Sequence, residues 1–256
     1  MCLLVVAVLL LQTGIAFLIV GLQLPDLILL KPLLSFIFLT AILTLVLLPV
    51  KALLKTSKTN KQQSAELKKW KTDAGLFITQ WQKEQQTDTK IWEHDLLLGD
   101  AHAPILITVV CNPYCGPCAK AHEKLDELLH RFPKKVKILV RFLCDINNEK
   151  DKRTIAVKAI LQKAEMAESN IAQQQMLTDW FAWMEYEKWT DKWQPDNAID
   201  VNGRLAEHNK WIVNSAIQFT PTFFVNGRKL PGRYNLNDIA VLVPQLTEIY
   251  MRETVK

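Results

Sequence analysis

The chain has 256 residues, 49% of them hydrophobic, and a formal net charge of +5, which leaves room for a membrane segment and one ordinary globular domain. Much of that charge sits in residues 51–71, where seven lysines face one glutamate. Elsewhere the signs are mixed without any arginine–aromatic pattern, so nucleic acid is excluded as the expected partner, and there is neither an internal repeat nor a low-complexity tract.

Residues 3–22, LLVVAVLLLQTGIAFLIVGL, carry no charge and as a helix are long enough to cross a bilayer core. A secretory signal peptide would need a basic leading region and a small-residue cleavage site, whereas Met1 and Cys2 run directly into the apolar stretch. A second run within 27–50 is apolar from Leu33 onward, with Lys31 and Pro32 at its entrance. Residues 1–50 therefore read as a transmembrane hairpin with spans at about 3–22 and 33–50, and the abrupt start reads as the tail of a longer membrane domain. The lysines of 51–71 read as a solvated juxtamembrane segment drawn to lipid headgroups. As flanking charges they would keep all that follows in the cytoplasm. Residues 63–86 place Leu67, Trp70, Ala74, Phe77 and Trp81 at helical spacing, which predicts an amphipathic helix within a basic linker region spanning 51–90.

Residues 91–256 have the size of one domain. APILITVV, residues 103–110, is a short β-branched run that predicts a buried central strand ending at Cys111. A helix is predicted from Cys118 to Phe132, with Ala119, Leu125, Leu128 and Leu129 on one face, followed by a strand over 136–143, VKILVRFL. A strand, helix, strand unit of this kind predicts a parallel pair with a right-handed crossover, and places the cysteines at the carboxyl end of the first strand, where α/β sheets keep their sites. From about 150 to 214 the apolar spacing turns helical in three runs, which predicts a helical insertion whose tryptophans fill its core. TPTFFVNGRKL returns to strand pattern as two short strands joined at Asn226-Gly227. A last helix is predicted over 235–250, capped by Asn235 or Asn237 and kinked or shortened at Pro244.

Three of the five cysteines lie within CNPYCGPCAKAH, residues 111–122. The spacing of Cys111, Cys115 and Cys118 suits an iron–sulfur cluster, and that of Cys115 and Cys118 alone suits a redox dithiol. A cluster-binding barrel of repeated βα units would need more than the one unit visible here. A zinc site would need a fourth ligand, and His122 crowded onto the same helix makes a poor tetrahedron. The dithiol reading uses the residues better. At the helix start the free N–H groups lower the Cys115 thiol and make it the attacking sulfur, Cys118 one turn on resolves the mixed disulfide, and Pro117 in the first turn loses no hydrogen bond. No metal is expected.

CGPC after a buried strand, with TPTFFVNGR about a hundred residues later, resembles the thioredoxin fold, and the helical insertion and LLLGDAHAPILITVV are similar to the disulfide-oxidase, DsbA-like branch. The expected fold is thus α/β and thioredoxin-like with a helical insertion, preceded by the transmembrane hairpin. The resemblance implies a thiol:disulfide oxidoreductase with Cys115 and Cys118 as catalytic pair, Gly116 and Pro117 at the helix start, and a cis bond at Thr220-Pro221 whose loop meets the substrate peptide. It implies no cofactor beyond the redox-active disulfide. One departure is that ILITVV offers no acidic residue beneath Cys118; another is that the Gly116-Pro117 dipeptide matches thioredoxin itself, a reductant, and argues for a lower potential than that of strong oxidases. Residues 1–50 further resemble part of a bacterial vitamin K epoxide reductase fused to a thioredoxin-like domain, with Cys2 either the remnant of its cysteine pair or merely a small membrane residue. That likeness implies a quinone-linked membrane redox partner and cysteine-containing protein substrates. It sets an inner-membrane protein with its soluble domain on the periplasmic side against the lysine signal for the cytoplasm. Cys111 and Cys144, at the ends of neighbouring strands, are either a second thiol pair or two buried thiols. Reductant or isomerase action, and thiolate metal or cluster binding, stay open as alternatives.

Overall fold

The structure, a computed structural model, describes residues 30–93 and 95–254. It divides into two compact units, Met1–Leu67 and Lys68–Lys256. The first predicted span, 3–22, and Cys2 lie outside the described residues.

α1 (Leu30–Lys71) is one unbroken 42-residue helix that passes through Pro49. Its segment Ile37–Lys71 is long and apolar enough to cross a membrane, with a peak mean hydropathy of 2.4. The expected end of a span at residue 50 followed by a separate linker is not what forms: the lysine-rich stretch continues the helix, because Lys, Ala, Leu and Gln are good helix formers.

The amphipathic helix expected over 63–86 is in fact broken. Asp73 is the N-cap of α2 (Ala74–Trp81), and its Oδ1 accepts the Leu76 N–H at 3.0 Å, so the chain restarts there. Leu67 and Trp70 are exposed, whereas Ala74, Phe77 and Trp81 enter the core of the second unit. Trp81 Nε1 donates to the Val225 carbonyl at 2.9 Å, so residues that read as linker are part of the domain.

A five-stranded sheet forms the centre of that domain, in the order β1-β3-β2-β4-β5, from β1 (Leu96–Gly99), β2 (Ile105–Cys111), β3 (Val136–Phe142), β4 (Thr222–Val225) and β5 (Arg228–Lys229). The β2–β3 pair is parallel, with Ile105 opposite Val136 and Cys111 opposite Phe142, and the other pairs are antiparallel. The crossover between β2 and β3 is α3 (Gly116–Arg131). Every residue of β2 is buried, as expected of a strand covered on both faces. Alternation along it separates two clusters: Ile105, Ile107, Val109 and Cys111 belong to the larger core with α3 and α8 (Leu236–Thr254), and Val110 packs with Trp211, Ile212 and Phe224 on the other side.

The insertion between β3 and β4 consists of α4 (Lys152–Glu165), α5 (Asn170–Trp183), α6 (Tyr186–Trp193) and α7 (Asn202–Asn214). The second of the three helical runs, QQQMLTDWFAWMEYEKW over 173–189, is split by Met184, which turns left-handed at φ 50° and closes α5 with its N–H on the Trp180 carbonyl. In α8, Asn235 Oδ1 caps the first turn through the Asn237 and Asp238 N–H groups, and the helix runs through Pro244 to Thr254. Asn226 and Gly227 join β4 to β5 with φ of 44° and 84°, a turn in which both central residues are left-handed. A Cβ on Gly227 would stand 2.3 Å from Thr89 Cγ2. Gly227→Ala is therefore expected to destabilise the domain by about 1–3 kcal/mol, read as a lower urea midpoint.

Candidate active site

The end of β2 delivers the chain into Asn112-Pro113-Tyr114, which turns it into α3. Asn112 Oδ1 accepts the Tyr114 N–H at 2.9 Å, and its carbonyl accepts the Cys115 N–H at 3.1 Å; a short Asx turn thus aims Cys115 at the helix start. Cys115 is the N-cap residue of α3, and Gly116 and Pro117 form its exposed first turn. Pro117 fits there because a first-turn N–H has no intrahelical acceptor. The loop is anchored from the insertion. Trp180 Nε1 donates to the Pro113 carbonyl at 2.8 Å, and the Trp180 ring meets Tyr114 edge-on at 5.6 Å.

Cys115 is half-buried and Cys118 fully buried. Facing them is the loop before β4, where the Thr220-Pro221 peptide is cis. The Cys115 thiol donates to the Thr220 carbonyl at 3.7 Å. Phe219, the residue before Thr220, is 60% exposed. The arrangement combines one sulfur that a partner can reach, a second held beneath it, and a strip of backbone against which an extended peptide could lie.

The division of charge between the two sulfurs differs from the sequence expectation. Burial raises the Cys115 thiol above its ordinary value, with its bond to Cys118 adding, while the Cys118 amide and the Thr220 side chain act the other way. Cys118 is brought down to about 6, chiefly by its hydrogen bond with Cys111 and against its own burial, with help from the Asn112 backbone and from the side chains of Cys115 and Thr220. Of the two thiols, the inner one has the lowered value. Access, rather than charge, makes Cys115 the sulfur that meets a partner.

Cys111 and Cys144 have different neighbours. All four cysteines of the domain are free thiols. Cys111 Sγ lies 3.6 Å from His122 Nε2 and its thiol interacts with Cys118, whereas Cys144, two residues past the paired end of β3, interacts with Thr154. Of the two readings open from the sequence, a second thiol pair or two buried thiols, the structure has two buried free thiols, with Cys111 grouped with Cys118 and His122. Among the described residues no three His, Cys, Asp or Glu side chains are placed to hold a metal ion. The spacing of Cys118 and His122, four apart on one helix face, was the sequence signal for this group, and as a metal-ligand pattern it pointed elsewhere. Nothing in the sequence signalled the Trp180 anchor.

A family model described as thioredoxin matches residues 92–243, more than half of the chain. Comparison with curated proteins gives no match. Among solved structures, the chain is similar to oxidised BdbD from Bacillus subtilis, with 14% identity, 66% of this chain and 97% of that one covered, and a TM-score of 0.50. It is also similar to ScsC from Proteus mirabilis in a transitional conformation, with 14% identity, 84% and 98% covered, and a TM-score of 0.51. A thioredoxin-like oxidoreductase from Silicibacter pomeroyi aligns at 13% identity, 61% and 94% covered, and a TM-score of 0.50.

Proposed function

The chain belongs to the thioredoxin family, and we propose that it is a thioredoxin-like oxidoreductase whose Cys115 and Cys118 exchange disulfides with cysteine-containing proteins at a membrane surface. The observation that carries this reading is the pair itself: a reachable Cys115 at a helix N-cap, against the Thr220 carbonyl, above a buried Cys118.

In the oxidising direction, a substrate thiolate attacks Cys115 of the Cys115–Cys118 disulfide. The S–S bond breaks, Cys118 leaves as a thiolate, and a mixed disulfide forms between substrate and Cys115. A second substrate thiolate then attacks its own disulfide-bonded sulfur and expels Cys115. Two electrons stay on the dithiol, and the substrate leaves with a new disulfide. The low value of the inner thiol makes Cys118 a good leaving group in the first step. Run backwards, the same steps reduce a substrate disulfide. The electrons travel in sulfur bonds alone, so no resident cofactor is needed.

The finer reading assigns α1 as a membrane tether, supported by the length and apolar character of Ile37–Lys71. It places the domain on the periplasmic side of the bacterial inner membrane and has a vitamin K epoxide reductase-like membrane partner reoxidise the dithiol, passing electrons to quinone. The lysines at 51–71 favour the opposite side, and protease access to the domain in right-side-out vesicles decides between them: cleavage from outside supports the periplasm, and protection refutes it.

The decisive measurement on function is the reduction potential of the full chain equilibrated in glutathione buffers, with Cys115→Ser as control. A value towards about −120 mV assigns disulfide donation, and one near about −270 mV assigns a reductant. Failure to titrate, together with iron or zinc in protein purified without oxygen, would return the cysteines to metal binding.

A further inference from the structure

Holding a thiolate on a sulfur that is fully buried requires a donor in contact with it, since an isolated charge is expensive away from water. A buried carboxylate is not at this place. Asp95 and Asp179 are the buried carboxylates among the described residues, and both are engaged elsewhere: Asp95 with Arg141 and His208, Asp179 with Lys192, Trp193 and Gln175. What does stand beneath Cys118 is Cys111. It is the last residue of β2, is fully buried, and points to the α3 side of the sheet with Ile107 and Val109. His122 lies one helical turn beyond Cys118 on the same face of α3, touches Cys111 Sγ at 3.6 Å through Nε2, and is itself held by stacking on Phe181 at 4.0 Å and 20°.

We propose that Cys111 is a positioning residue of the dithiol, whose S–H donates the hydrogen bond that holds the Cys118 sulfur as a thiolate, with His122 Nε2–H donating in turn to Cys111. The inference rests on the disulfide-exchange reading above. Cys111 itself undergoes no redox step: when Cys118 attacks Cys115 of a mixed disulfide, the Cys115–Cys118 bond forms, the bond from Cys115 to the substrate breaks, and the substrate sulfur leaves with the electron pair and takes its proton from water. Cys111 keeps its proton throughout. Its burial raises its thiol well above the ordinary value, so it stays a donor, and burial lowers His122 to about 3, so the imidazole stays neutral. The chain of donors fixes the His122 tautomer with the proton on Nε2.

The titratable groups facing the cluster are Cys115 and Cys118 at the start of α3, Cys111 on β2 and His122 on α3. The test is the pH titration of thiolate absorbance, reduced minus oxidised, in the full chain. The wild type should titrate first near about 6, with the thiolate present above that pH and lost below it. Cys111→Ala should raise this midpoint by at least one unit. At neutral pH it should shift the glutathione equilibrium about tenfold towards the disulfide, about 30 mV more reducing. Cys111→Ser keeps a donor and should stay near the wild type. Should the alanine variant fail to fold, His122→Phe, which preserves the stack on Phe181, should raise the midpoint by a smaller amount. Equal titrations for wild type, Cys111→Ala and Cys111→Ser would overturn the proposal, as would alanine and serine variants shifted alike. An intact glutathione equilibrium that ignores Cys111 refutes this inference alone, whereas the absence of any equilibrium in the wild type refutes the disulfide-exchange reading beneath it.

Discussion

Cys115→Ser is expected to abolish disulfide exchange, and Cys118→Ser to stop it halfway with the substrate still bound. Of the two sulfurs, Cys115 alone combines partial exposure with a place at the helix N-cap, and without it a partner has no sulfur to attack or be attacked by. In Cys118→Ser the Cys115 thiolate still attacks a substrate disulfide and expels one substrate thiolate, but the buried position now holds a hydroxyl, which does not displace Cys115 from the mixed disulfide that results. The mixed disulfide should therefore accumulate and appear as a covalent adduct on a non-reducing gel and by mass spectrometry. Adducts at Cys118 in the Cys115→Ser variant would show that the inner sulfur is the reachable one, and the assignment of roles would be wrong. Exchange that survives Cys115→Ser at wild-type rate would remove the dithiol from the reaction altogether.

Asp95→Ala is expected to destabilise the domain by about 3–5 kcal/mol, because it leaves a buried guanidinium without its counter-charge. Arg141 on β3 is wholly buried. Its Nη2 reaches Asp95 Oδ2 at 3.4 Å and donates to the Lys90 carbonyl at 2.7 Å, while its Nε and Nη1 have no hydrogen-bond acceptor. Instead the guanidinium lies between two indole faces, 3.8 Å from the centre of Trp92 and 4.4 Å from that of Trp211, which offsets part of the lost hydration. His208 completes the group. Its Nδ1 accepts the Phe142 N–H at 3.4 Å and its Nε2 faces Asp95 Oδ1 at 3.3 Å, so Nε2 carries the proton and donates to the carboxylate. This cluster fastens α7 and the segment before β1 to the strand that runs beside Cys111. For a domain of this size the loss corresponds to a fall in melting temperature of roughly 6–20 °C. Asp95→Asn combined with Arg141→Met should recover part of it, since the pair rather than either charge is what the interior tolerates. A single Asp95→Ala variant that melts within about 2 °C of the wild type, no more than the shift expected for about 1 kcal/mol, would mean that water reaches Arg141.

Most of the architecture was legible from local pattern. The apolar run over 103–110, the helical spacing after Cys118 and the Asn226-Gly227 pair each state a local backbone preference, and β2, α3 and the β4–β5 turn form where those preferences put them. The break at Asp73 was missed because Leu67, Trp70, Ala74, Phe77 and Trp81 keep helical spacing across it; a capping side chain overrides periodicity at one point. The split at Met184 is of the same kind, a left-handed residue inside a continuous helical pattern. Nothing in VKILVRFL marks Arg141 as buried, and only the packing of two tryptophans from distant segments, Trp92 and Trp211, makes its burial tolerable.

At the site, the sequence by itself determined the dithiol: the interval between Cys115 and Cys118, with a strand before and a proline in the first turn, settles one turn of helix between two sulfurs, because helical geometry is local. What the tertiary structure alone decided is the company those sulfurs keep. Thr220 arrives across 105 residues to accept from Cys115, Trp180 across 67 to hold Pro113, and Cys111 meets His122 because a crossover helix lays its inner face over the strand that precedes it. Local spacing fixes which groups can react; the long-range fold fixes which of them carries the charge.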